Sequence, residues 1–228
     1  VTDISVLKGA TIAFDLDGTL VDSAPDLIAA VNAILIAEDL KPMALEEARP
    51  FISRGARWLL QWGIASSGVP DPAVRAAALF DRFITYYSAH IADQSHPFPG
   101  VIDALNVMRT AGAKLVVCTN KPTALSHSLL TKLGMVDLFD GIVGIDAVTA
   151  AKPNAAHLIV AVQAVGGDLT RTIMVGDADP DAATARAAGT PLILVAFGYS
   201  EIPVVELAPD FLLHHFDDLV DACTDLLN

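Results

Sequence analysis

The chain has 228 residues, 53% of them hydrophobic, enough to bury one large α/β domain or a core with a modest second lobe. A formal net charge of -13 excludes nucleic acids and anionic membranes as partners, since neither polyanion attracts an acidic surface; a small anionic substrate stays possible, because a metal and a few cations can reverse the field inside one cleft. The longest uncharged run, Ala187 to Ser200, is broken by Gly189, Pro191 and Gly198, and residues 1–14 hold no apolar leader, so a soluble, cytoplasmic protein is expected. Its two cysteines, Cys118 and Cys223, are read as free thiols, with Cys118 inside an apolar run.

The first predicted element is a strand over Thr11 to Phe14. It runs straight into Asp15-Leu16-Asp17-Gly18-Thr19-Leu20. Ligands of open α/β sheets bind beyond the carboxyl ends of the strands, and two carboxylates two residues apart project to the same side there. Gly18 allows a sharp turn that brings backbone N–H groups toward an anion. Asp15 suits a nucleophile, because a carboxylate needs no base to activate it. Asp17 suits an acid that protonates a leaving alkoxide and then takes a proton from water. The plainer alternative is that both residues only end a strand and begin a turn.

About 80 residues without a convincing strand follow. Apolar residues recur at helical spacing over Asp26 to Glu38, Ala56 to Ile64 and Pro72 to Ile91, with breaks at Lys41-Pro42, Gly68 to Pro72 and His96 to Gly100. This predicts a helical insertion over residues 21–96, a cap on a core made of residues 1–20 and 97–228.

Helix and strand then alternate. A helix over Val101 to Thr110 leads to a strand over Lys114 to Cys118, ending at Thr119-Asn120-Lys121-Pro122. Thr119 could bind a phosphoryl oxygen through its hydroxyl and nearby N–H groups, or Thr119 and Asn120 could simply cap the next helix, Pro122 to Leu133. Gly141 to Ile145 is a weaker strand. Lys152 precedes Pro153, which fits the first turn of a helix over Asn154 to Val165, and its ammonium could meet a phosphate at the sheet's edge. A strand over Thr172 to Val175 ends at Gly176-Asp177, followed by Asp181 on a helix over Asp179 to Ala188. Asp177 offers a hard oxygen ligand of the kind Mg²⁺ takes, whereas Asp179 fits an acidic helix start. Strands over Leu192 to Val195 and Phe211 to Leu213 complete the series. The alternation predicts a parallel sheet, Rossmann-like, with helices on both faces. Mg²⁺ and Lys152 would outweigh Asp15 and Asp177, leaving the site net positive for a phosphate unless Asp181 sits close; metal dependence is expected.

The four motifs, spread over residues 12–189, resemble those of haloacid dehalogenase superfamily phosphatases. The resemblance implies that Asp15 is nucleophile and metal ligand, that Asp17 is acid/base and binds metal through its carbonyl, that Thr119 and Lys152 hold the phosphoryl group, that Asp177 completes the ligands, and that Asp181 supports them. Gly18, Thr19 and Asn120 are then expected around the substrate. Val21 to Asp26 is similar to the phosphoglycolate phosphatase-like branch. That branch often has Ser where Ala178 stands, and Pro where Ala155 stands. The family's cap loop selects the leaving group; its counterpart here is Ser53-Arg54-Gly55-Ala56-Arg57, where Arg54 could pair with a substrate carboxylate, or Arg54 and Arg57 could both be surface charges at a helix start. The implied function is hydrolysis of a small phosphorylated metabolite through an aspartyl-phosphate, with phosphoglycolate leading, by a monomer or dimer. A phosphosugar phosphatase or mutase and a non-enzymatic binding protein on the same fold are the alternatives. Dehalogenation would leave Asp17 and Asp177 without a purpose.

Overall fold

The computed structural model describes residues 3–228. The amino-terminal half runs β1 (Thr11–Phe14), β2 (Val21–Asp22), α1 (Ala24–Ala37), α2 (Leu45–Ala48), α3 (Ala56–Ser66), α4 (Pro72–Ala89) and β3 (His96–Pro97). The remainder runs α5 (Val101–Thr110), β4 (Lys114–Cys118), α6 (Thr123–Lys132), β5 (Gly141–Val143), α7 (Ala155–Ala164), β6 (Thr172–Gly176), α8 (Asp179–Ala188), β7 (Leu192–Val195), β8 (Phe211–Leu213) and α9 (Leu219–Leu227). Two compact units result. One comprises the chain up to Asp22 with Pro97–Asn228, the other Ser23–His96.

The first unit is built on a six-stranded sheet in the order β5-β4-β1-β6-β7-β8, parallel throughout. A parallel sheet is covered on both faces, so its strands read as continuous apolar runs; β1 and β6 are buried at every position. One face packs Ala13, Val116 and Met174 against Leu158 and Val162 of α7 and Ala182 of α8. Ile12, Phe14, Leu115 and Val117 alternate to the other face, and α5 packs on β4 and α9. Burying each such aliphatic side chain stabilises the fold by about 1.5–3 kcal/mol. Order reverses at β1, between β4 and β6, which makes the carboxyl edge of β1 the switch point where ligands bind. Phe14 is in register with both Val117 and Val175, so the next residues of all three strands emerge at one height. The unit closes where Phe98 N–H donates to the Leu20 carbonyl.

The second unit is helical. Leu35 of α1 sits so close to Gly63 of α3 that a Cβ there would lie 2.6 Å from a Leu35 methyl. Leu60 and Phe83 fill the space between helices. Buried Asp26 accepts bonds from the Gln94 and Ser95 N–H groups and from the Ser95 hydroxyl, tying the returning chain to α1.

The departures from the expected elements are local, the four-residue helix α2 among them. The strands β2 and β3 are two residues long, too short to leave a periodic signal. The carboxyl-terminal helix α9 is additional to the expected elements, although Leu219, Ala222, Cys223, Leu226 and Leu227 follow helical spacing between acidic residues. Pro153 lies outside α7, whose cap is Asn154: the Asn154 side chain accepts from Ala156 N–H at 2.9 Å. No described helix is long and apolar enough to cross a membrane.

Candidate active site

Asp15 leaves β1 while its own N–H still bonds to the Val175 carbonyl, so its backbone is fixed by the sheet. Its Oδ1 lies 2.9 Å from Lys152 Nζ. The same ammonium donates to Asp181 Oδ1 at 2.6 Å. Lys152 is therefore buried between two carboxylates brought from β1 and α8. Burial alone would depress its pKa, but Asp15 and Asp181 overcome this and hold it above the ordinary lysine range.

Asp177 emerges from β6 into a cradle of glycines. A Cβ on Gly18 would lie 2.5 Å from Asp177 Oδ2, and one on Gly198 would lie 2.2 Å from Asp177 Cβ. Gly18 also has φ +85°, a conformation that L side chains rarely adopt. The Thr19 hydroxyl donates to Asp177 Oδ1 at 3.1 Å, and Tyr199 N–H donates to Oδ2 at 2.6 Å. Thr19 is fully buried, and its hydroxyl is turned toward Asp177.

Asp181 uses its second oxygen to accept from the N–H groups of Asp177 and Ala178, at 3.1 and 3.2 Å. Ala178 caps α8 without a side-chain acceptor, so only the return half of a capping box exists. With one oxygen on Lys152 and the other on backbone N–H groups, Asp181 is placed as a support. Asp179 is the exposed first residue of α8.

Thr119 and Asn120 do not cap α6, whose cap is Pro122. The buried Thr119 hydroxyl accepts from Lys121 N–H at 3.2 Å and keeps its own proton to donate. Asn120 donates to the Lys152 carbonyl at 3.0 Å, and its buried Oδ1 has no hydrogen-bond partner among the described residues.

Lys121, Tyr199 and His157 escaped the sequence reading. Lys121 Nζ reaches both Asp17 oxygens, at 2.9 and 3.1 Å. It stands in the Thr119-Asn120-Lys121 segment at a strand end, which is the signal that could have found it. Tyr199, just past β7, holds Asp177 by its backbone and donates its hydroxyl to Asp22 at 2.5 Å. Buried His157 on α7 accepts from Lys152 N–H through Nδ1 and donates through Nε2 to the Val143 carbonyl, at 3.2 and 3.1 Å. These partners fix the neutral ring in one tautomer.

Burial, aided by the Lys152 charge, holds the His157 pKa below its usual value against the opposing Val143 bond. Folding therefore favours the neutral ring. Its contribution to stability is complete above the unfolded value of about 6.5 and falls as pH drops below it. His157→Phe is expected to cost roughly 1–3 kcal/mol at pH 7.5 by orphaning a buried N–H group. It should also remove part of the loss of thermal midpoint between pH 7.5 and pH 5; parallel pH curves for variant and parent would contradict this role.

Asp15, Asp177 and Asp181 bring oxygens within 4.8 Å of one another, with Lys152 as their cation. The expected net positive site is thus corrected. Asp181 sits close enough to leave three carboxylates against one ammonium, which a divalent ion would only balance, and Lys121 and Asp17 add a neutral pair. Burial, with the Asp181 and Asp17 charges, raises Asp15 to about 6 despite Lys152. Burial, then Asp181 and Asp15, raises Asp177 well above the usual range. Crowded, hard oxygen donors in this electrostatic state fit a divalent cation of the Mg²⁺ type. Among the described residues this is the one His/Cys/Asp/Glu group so arranged. Cys118 is buried nearby, and burial pushes its thiol up to about 12, so it offers no nucleophile.

Within the helical unit, Ser53 and Arg54 end a 3-10 turn (Arg49–Arg54), and Gly55, with φ +89°, caps α3. The exposed Arg54 guanidinium lies 4.6 Å from the Trp58 ring centroid and 5.7 Å from that of Phe51; Arg57 covers Phe80 at 4.1 Å. Phe51, Trp58 and Trp62 form one aromatic cluster.

Comparison with known proteins agrees with this geometry. The chain is 52% identical to a phosphoglycolate phosphatase of Caulobacter vibrioides over 97% of its length and 93% of that protein's. It is 39% identical to a phosphoglycolate phosphatase of Agrobacterium fabrum, over 94% and 92%. A crystal structure of a predicted phosphoglycolate phosphatase from Haemophilus somnus superposes with a TM-score of 0.84 at 27% identity, covering 95% of this chain and 98% of that one. The haloacid dehalogenase-like hydrolase model matches residues 12–195, the span that carries all four motifs, and the chain belongs to that family.

Proposed function

We propose that the protein is a magnesium-dependent phosphoglycolate phosphatase working through an aspartyl-phosphate on Asp15. The observation that carries this reading is the convergence of Asp15, Lys152, Asp177 and Asp181 beside Asp17 at the switch point of the sheet. The two relatives of that name, similar over nearly the whole chain, support the substrate.

The Asp15 carboxylate attacks phosphorus, and the bond from phosphorus to the glycolate oxygen breaks. Asp17 gives that oxygen its proton, which converts a poor leaving group into an alcohol. Asp17 then takes a proton from water, the water attacks the acyl phosphate, and Asp15 is released with inorganic phosphate. Lys152 and the Thr119 hydroxyl hold phosphoryl oxygens as negative charge concentrates there. Asp15, Asp177 and the Asp17 carbonyl would hold Mg²⁺, which shields the phosphoryl charge from the nucleophile.

The helical unit Ser23–His96 acts as the cap, with Ser53, Arg54 and Gly55 as its substrate-facing loop; support comes from an exposed guanidinium stacked on Trp58 and so pre-oriented. Two buried free thiols and an acidic composition favour a cytoplasmic setting.

The test is a panel with Mg²⁺: phosphoglycolate, ethyl phosphate, a hexose phosphate and an aryl phosphate, ranked by kcat/KM. Phosphoglycolate should lead by about tenfold or more, and EDTA should stop turnover. A hexose phosphate at the head of the ranking, isomer formation, or no turnover of any ester would each overturn the reading.

A further inference from the structure

We infer that Lys121 is a specificity-determining residue that binds the carboxylate of the substrate's leaving group; the inference rests on the phosphoglycolate reading above. Lys121 Nζ stands 2.9 and 3.1 Å from the two oxygens of Asp17. For Asp17 to protonate the leaving oxygen, its carboxyl must come within hydrogen-bond distance of that oxygen. Lys121 is then no more than two hydrogen-bond lengths from the leaving oxygen. In phosphoglycolate a single methylene separates that oxygen from the carboxylate. A cation flanking the acid therefore meets a carboxylate at this position and nothing comparable on a plain alkyl ester.

The ammonium is also pre-organised. Its side chain is 5% exposed, whereas that of Asp17 is 19% exposed, so the pair opens toward solvent on the Asp17 side. Lys121 N–H is held by the Thr119 hydroxyl, and its carbonyl accepts from Ile145 N–H at 3.2 Å. Gly144 presses on the same turn: a Cβ there would lie 2.5 Å from the Lys121 carbonyl oxygen. Little ordering cost remains when a carboxylate arrives. A buried ammonium of this kind also discriminates, because a substrate lacking the carboxylate forgoes that contact.

The test compares phosphoglycolate with ethyl phosphate, which lacks only the carboxylate group, in the full-length protein with Mg²⁺. The ratio of their kcat/KM values is measured for the parent, Lys121→Met and Lys121→Arg, with folding checked by circular dichroism and thermal midpoint. Lys121→Met is expected to shrink the ratio by about tenfold or more, chiefly by raising KM for phosphoglycolate. Lys121→Arg should restore part of it. Taking the ratio cancels any effect on Asp17 that both esters share. An unchanged ratio, with both substrates slowed alike, would mean that Lys121 only positions Asp17, and the inference would fall. So would collapse of the ratio in Arg54→Ala but not in Lys121→Met. Should Lys121→Met not fold, Lys121→Arg and Lys121→Gln carry the comparison, and equal ratios in those two would overturn it. A parent enzyme without preference for phosphoglycolate would overturn the functional reading itself and take this inference with it.

Discussion

Replacing Asp15 with Asn should lower turnover by roughly 10⁴-fold or more while the protein stays folded, because the amide cannot attack phosphorus. The backbone at this position is held by the bond from Asp15 N–H to the Val175 carbonyl, which the substitution does not touch. The amide also removes a charge that burial opposes, so the thermal midpoint of the metal-free variant should match or exceed the parent's at pH 7. Two measurements check the claim. Acid-quenched parent enzyme should carry label from phosphate-labelled substrate on the peptide containing Asp15, and the variant should carry none. Turnover by the variant within tenfold of the parent would remove Asp15 as nucleophile.

Asp177→Asn should produce opposite effects on stability and activity. In the metal-free protein, Asp177 is buried with Asp181 and Asp15 nearby, and its pKa is raised. The folded state therefore keeps a proton that the unfolded chain gives up near pH 3.8. The resulting stability is present below that value and is lost as pH rises through the raised folded value. At pH 7, well above the unfolded value, the buried carboxyl weakens the fold. An asparagine can keep both contacts, turning its carbonyl toward Tyr199 N–H and its amide toward the Thr19 hydroxyl. The metal-free variant should be more stable than the parent at pH 7 by on the order of 2 kcal/mol, and no more stable at pH 4. Mg²⁺ should raise the parent's thermal midpoint and barely move the variant's, and turnover should fall at least about 100-fold. A variant less stable at pH 7, or one that Mg²⁺ still stabilises, would contradict a metal-holding role for Asp177.

These two predictions share a cause. Each carboxylate is costly to the fold when no cation is present, and Lys152 offsets only part of that cost. The motif spacing leaves the distance of Asp181 from the other groups open. Its contact with Lys152 turns an expected surplus of positive charge into a balance. That change matters for substrate binding, because Lys121 is a second buried ammonium close to the reacting groups.

Local pattern determined a great deal. A parallel strand buried on both faces must be apolar throughout, so β1, β4, β6 and β7 could be read from the chain, as could the helices between them. A ligand edge at the carboxyl ends of strands then marks Asp15, Thr119 and Asp177 without knowledge of strand order. Only the tertiary structure decided which side chains meet. Lys121 meets Asp17 across 104 positions, Tyr199 meets Asp177 across 22, and His157 anchors the turn that carries Lys152. Such pairings depend on the order β5-β4-β1-β6-β7-β8 and on register, which are set by packing between distant segments. A periodic sequence specifies the face a residue occupies, but the partner across the cleft is selected by geometry that no single segment contains.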